Sequence, residues 1–140
     1  MRTPTLAVLA RFENFSWLLL RVLTGIFLMY GTWDNIVSTE RMQEFAVFLE
    51  KYGFPSPAFM APLSVWVQFL AGLAFATGLF VRAAGLLIAV NFAIAVVMVH
   101  WAQDFRGWWP AIVLVVIGLH AVARGAGTYG LDAIRERRDE

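Results

Sequence analysis

Residues 58–102 read AFMAPLSVWVQFLAGLAFATGLFVRAAGLLIAVNFAIAVVMVHWA, and Arg82 is the one charged side chain in them. A bilayer crossing needs roughly 20 apolar residues. The stretch therefore holds two crossings, Ala58 to Val81 and Ala83 to Ala102, joined at LFVRAAGLL without room for a folded loop. They form an antiparallel hairpin. Working outward, Phe15 to Val37 supplies a third apolar run and Trp108 to Ala123 a fourth. The last is short, about 24 Å at the helical rise. Trp108 and Trp109 anchor one of its ends, and Arg124 snorkels at the other.

The bulk composition agrees. Of 140 residues, 60% are hydrophobic and 15% charged, and mean hydropathy is +0.68; an average soluble domain carries about 25% charged residues. The absence of cysteine excludes disulfides, thiol redox chemistry by this chain and cysteine-ligated zinc or iron–sulfur sites. A net charge of +1 gives no basis for a nucleic-acid partner. Arg21 interrupts the first apolar run and no small-residue cleavage site precedes a polar region, so that run is expected to stay as a membrane span rather than act as a signal peptide. The expected fold is all-α: a single membrane domain over residues 1–140, a four-transmembrane-helix bundle with a charged tail at 125–140.

Charge sets the expected orientation. One side carries Arg2, Arg11, Arg82, Arg124, Arg135, Arg137 and Arg138, and the other Arg41, Lys51 and Arg106. The positive-inside rule then puts both termini in the cytoplasm, and the expected location is the inner (plasma) membrane. In the first outer loop, RMQEFAVFLEK (residues 41–51) sets Met42, Phe45, Phe48 and Leu49 at helical spacing with charges opposite. This predicts a short amphipathic helix on the outer surface, ended by Gly53 and Pro55. The tail after Arg124 reads as a solvated end. Gly25, Gly31, Gly72, Gly78, Gly85 and Gly118 are packing residues that allow close helix approach, and five of the six tryptophans form a belt on the outer side.

Polar residues inside spans mark function by default. In the inner half these are Arg21 and His120, expected as an intramembrane pair with His120 neutral. In the outer half, Tyr30 and Asp34 share one helical face, as do His100 and Asp104, with Gln103 beside them and Gln68 nearer the midplane. Tyr30, Asp34, His100, Gln103 and Gln68 are the candidate ligand-binding group, roofed by the amphipathic helix and able to hydrogen-bond a quinone carbonyl or pass a proton. A second reading of Asp34 and Asn35 stays open: a helix end at headgroup level, with Asn35 and Ser38 stopping the helix. Asn91, nine positions before His100, falls on the opposite face of a regular helix and is expected to make an interhelical hydrogen bond, so that Asp34 and His100 should matter more to function. No catalytic residue is assigned, and one histidine near one aspartate is too sparse for a metal site.

The order of RVLTGIFLMYGTWDNI, FAVFLEKYGFPSP, VQFLAGLAFATGLFVRAAGLLIAVNFAIAV and GAGTYGLD resembles the DoxX family of small four-helix membrane proteins, over about Leu20 to Asp132. Arg21, Gly25, Gly31, Gly53, Pro55, Gly72, Gly78, Gly125, Gly127 and Asp132 match its recurrent positions. Where many members read His-Gly with a lysine three residues on, this chain has Tyr30, Gly31 and Asp34; where many carry a glutamate in the second span, it has Gln68. The resemblance implies an accessory or quinone-linked subunit of a membrane oxidoreductase system, with quinone as the candidate ligand and no cofactor held by this chain. The alternative is a non-enzymatic docking or assembly module working through its outer loop and glycine-lined faces. A small transporter ranks last, there being no inverted repeat or broken helix. The expected partners are the lipid bilayer, a redox or assembly protein, and a second copy of the chain.

Overall fold

The computed structural model describes residues 4–139; Arg2 lies outside them. Six α-helices follow one another: α1 (Pro4–Val37), α2 (Thr39–Lys51), α3 (Pro57–Thr77), α4 (Val81–Ala95), α5 (Phe105–Arg124) and α6 (Leu131–Arg138). A π-helical turn, Val96–His100, continues α4. Among the described residues, four helices are long and apolar enough to cross a membrane: α1, α3, α4 with its π turn, and α5. The fold is an all-α membrane bundle. We call the end holding the N-terminus of α1 and the α3–α4 turn the termini end, and the opposite one the loop end.

Local chemistry fixes the element ends. Ser38 caps α2, its hydroxyl accepting from the Arg41 amide at 3.2 Å, and Asn35 Nδ2 donates to the Arg41 carbonyl at 3.1 Å. The α1–α2 break is thus built by Asn35 and Ser38, as one of the two readings above holds. Gly53 then turns the chain with φ +79°. α2 lays Leu49, buried, against α3. α5 starts earlier than expected, because the Asp104 carboxylate accepts from the Gly107 amide at 3.0 Å and caps it. Its 20 residues span about 30 Å, the thickness of a hydrocarbon core. Asp104 consequently opens α5 and does not share a helical face with His100. α1 starts earlier too. Its 34 residues span about 51 Å, so the Glu13 region extends beyond a bilayer core.

Two helix pairs dominate the packing, α1 with α3 and α4 with α5. In the first, a Cβ on Gly25 would stand 2.5 Å from the Gly72 carbonyl; in the second, a Cβ on Gly85 would stand 2.6 Å from that of Gly118. These glycines are filled by this chain's own helices. Gly31, by contrast, is exposed with open space around it and packs nothing. The core between the pairs is Trp17, Leu28, Phe75, Val81, Ile88, Leu114, Ala121 and Ala126. Trp17 is thereby set apart from the other tryptophans.

The tail does not run free. Trp17 Nε1 donates to the Gly125 carbonyl at 3.0 Å. Arg21 is fully buried and donates to two carbonyls, Phe75 at 2.7 Å through Nη1 and Tyr129 at 2.5 Å through Nη2. The first partner is explained by how α3 ends. Gly78 at φ +76° closes the helix, and the amides of Gly78 and Leu79 both turn back to the Ala74 carbonyl, leaving that of Phe75 without a helical donor. Asp132 completes the stitching, its carboxylate accepting from the Phe80 and Val81 amides at 2.9 and 3.0 Å while its own amide donates to the Gly78 carbonyl. Residues 125–132 are therefore part of the bundle end, and only α6 beyond them is solvated.

Replacing Arg21 by Met removes two charge-assisted hydrogen bonds, each worth about 1.5–3 kcal/mol. Limited trypsinolysis of the purified protein should then cleave after Arg124 or Arg135 at least about tenfold faster than in the parent; an unchanged cleavage rate would show that Arg21 does not hold the tail.

Candidate functional site

A cavity of about 210 Å³ lies toward the loop end between α2, α3 and α4. Apolar side chains make most of its wall. Phe45, Phe48 and Leu49 come from α2, Phe54 from the turn after it, Phe92 and Ala95 from α4, and Val99 from the π turn. α2 presents them because its apolar residues recur at helical spacing, and the Ser38 cap with the Gly53 turn folds it back onto α3.

The polar part of the wall is a chain of three side chains. Gln68 Nε2 donates to Ser64 Oγ at 3.1 Å, and Ser64 Oγ donates to Asn91 Oδ1 at 2.9 Å. Ser64 and Gln68 stand one turn apart on α3; Asn91 faces them from α4. With these bonds made, Asn91 Nδ2 keeps both hydrogens and Gln68 Oε1 its lone pairs for a guest. His100 also lines the cavity, and its Nδ1 lies 2.8 Å from Gln103 Oε1. An amide oxygen only accepts, so Nδ1 is the donor in this contact, and Nε2 makes no hydrogen bond among the described residues.

Of the expected ligand-binding group, then, Gln68 and His100 line the cavity, and Gln103 sits outside it, orienting His100. Tyr30 and Asp34 are not brought in. Tyr30 is 85% exposed and Asp34 is exposed too, and neither lines the cavity. Their spacing gave them a common face but not its direction.

Asn91 is the opposite case. On a regular α-helix its nine-residue separation from His100 gives an offset of about 180°. The π turn at Val96–His100 takes up one extra residue and reduces that offset to about 80°, so both side chains reach one cavity. The run VVMVH carries no proline or glycine to announce the turn. Ser64 could have been found from its position four residues before Gln68.

Arg21 and His120 do not pair. Arg21 donates to Phe75 and Tyr129, and the exposed His120 ring stands edge-on to Trp17 with centroids 4.8 Å apart. Burial against the tail gave Arg21 main-chain acceptors that a snorkelling side chain would not have met. Arg124 donates to Glu13 Oε1 at 2.6 Å and to Asn14 Oδ1 at 2.9 Å, across to α1.

A cavity of about 150 Å³ lined by aliphatic and aromatic side chains accommodates benzene. The slightly larger one here has room for a single flat ring, with donors on one side for a carbonyl oxygen. The DoxX family model matches residues 16–101, which takes in α2, α3, the π turn and every side chain of the cavity. No curated protein and no solved structure matches the chain.

Proposed function

This chain belongs to the DoxX family, and from that premise we propose that it is a quinone-linked subunit of a membrane oxidoreductase system. The cavity under α2 is its quinone site. One observation carries the reading: an otherwise apolar cavity in membrane-spanning helices exposes an uncommitted amide donor, Asn91 Nδ2, next to Gln68 and Ser64. Polar groups are expensive within a membrane and are retained for function by default. In this role Asn91 donates to one quinone carbonyl, the phenylalanines of α2 pack on the ring, and His100 Nε2 takes or returns a proton as the quinone changes redox state. The isoprenoid tail lies among the lipids, and electrons come from a partner protein, as no redox group is assigned to this chain.

Extraction of the protein from native membranes in mild detergent, with mass spectrometry of the copurifying quinones and proteins, tests this. We expect near-stoichiometric quinone, reduced about tenfold by Asn91→Leu, the loss of one hydrogen bond to a buried acceptor, and retained in Tyr30→Phe and Asp34→Asn. Quinone at background in the parent, together with a reproducible non-redox partner, would replace this reading with the docking and assembly module.

The orientation we propose places the termini end in the cytoplasm and α2 outside, on the arginine asymmetry described above. The chain has no cysteine, so single-cysteine labelling is free of background. In intact cells a membrane-impermeant maleimide should label Glu50→Cys and leave Arg137→Cys unlabelled until lysis; the reverse pattern would invert the topology.

A further inference from the structure

One face of the bundle carries charges that its own helices do not explain. α1 and α5 meet at the termini end, where Arg124 bonds Glu13 and Asn14 and His120 stands against Trp17. Toward the loop end they leave an open groove of about 360 Å³, in which Leu23, Thr24 and Phe27 of α1 face Pro110, Val113 and Ile117 of α5. None of its lining residues belongs to the cavity under α2. The stripe that lines the groove continues to the loop end on both helices. On α1, Gly31 and Asp34 follow Phe27 by four and seven residues, and on α5, Arg106 precedes Pro110 by four. Each therefore stands on the groove face of its helix.

Asp34 and Arg106 are both exposed, and among the described residues neither belongs to an ion pair. Each also carries the charge that its helix end disfavours. Asp34 lies in the last turn of α1, at the negative pole of the dipole, and Arg106 in the first turn of α5, at the positive pole. A cation beside Asp34 and an anion beside Arg106 would offset both penalties. Gly31 adds a steric signal, because a Cβ there would meet nothing within 4 Å. The approach that this glycine permits is open to a helix from outside the chain. Both charges stand at the loop end and so at one level of the membrane. A second copy, related by a twofold axis along the membrane normal, presents its α5 to this α1 and its α1 to this α5. We propose that the α1–α5 face is a homodimer interface. Asp34 of each copy pairs with Arg106 of the other, and α5 of one copy packs over Gly31 of its partner. The surface is self-complementary, as an isologous contact requires. A lipid acyl chain would fill the groove but leave both charges unanswered.

The test uses two differently tagged copies of the full chain, expressed together and extracted in copolymer nanodiscs that keep the bilayer around them. Recovery of one tag through the other reads the dimer. The parent should pair. Asp34→Arg in both copies, or Arg106→Asp in both, sets like charges against each other twice and should lower pairing at least about tenfold. One Asp34→Arg copy with one Arg106→Asp copy restores both ion pairs and should pair as the parent does. Each swap gives its own helix end the charge it favours, so lost pairing is not lost fold. Gly31→Leu, which has open space within the chain, should lower pairing by a similar factor. A parent recovered without its second copy, with lipid or another protein against the face, would overturn the dimer. Pairing that survives the like-charge variants, or that the mixed swap does not restore, would overturn this interface.

Discussion

Where membrane helices end, main-chain groups lose their helical partners, and within or beside a bilayer there is little water to replace them. The termini end of this protein is organised by that constraint. Arg21 answers the Phe75 carbonyl left over by the close of α3 and reaches on to Tyr129. Arg82 answers the last carbonyls of α5. Asp132 answers the first amides of α4. Each side chain carries the charge that its helix end favours, cations at carboxyl ends and a carboxylate at an amino end. The same three contacts tie α1, the α3–α4 hairpin, α5 and the tail together, so that satisfying orphan backbone groups also closes the bundle. Among the side-chain polar atoms of the described residues, Arg21 Nε alone stays buried without a partner.

With one end fixed, the loop end is left to shape a cavity. The glycine contacts of α1 with α3 and of α4 with α5 draw each pair together, and α2 roofs the space between α3 and α4. The π turn is the device that makes the space chemically useful: it turns His100 toward the side already occupied by Asn91. Insertions of this kind in α-helices often accompany functional sites. In the reading proposed here, this placement of an amide donor and an imidazole acceptor around one small apolar cavity is what recognises a quinone ring.

The parts of this arrangement that depend on apolar runs and on spacing within one helix were legible in the sequence. The hairpin at Arg82, the four crossings, the stripe of α2 and the Gly25 and Gly72 approach all follow from period and residue size. What escaped depends on partners that have no side-chain identity. Nothing in Arg21 says that its acceptors will be the Phe75 and Tyr129 carbonyls rather than His120, and nothing in GAGTYGLD says that it folds back. The four-residue spacing of Tyr30 and Asp34 gives them a common face, but periodicity does not say whether a face looks inward. A constant helical period across VVMVH puts Asn91 opposite His100, whereas the π turn there changes the phase.

The most direct measurement is photo-crosslinking of an azido-quinone analogue in native membranes, with the labelled peptides mapped by mass spectrometry. The account predicts labelling, competed by unmodified quinone, in α2 around Phe45 and Phe48 and in α4 around Asn91 and Phe92. Label that quinone does not displace, or that falls on α1 around Tyr30 and Asp34, would contradict it.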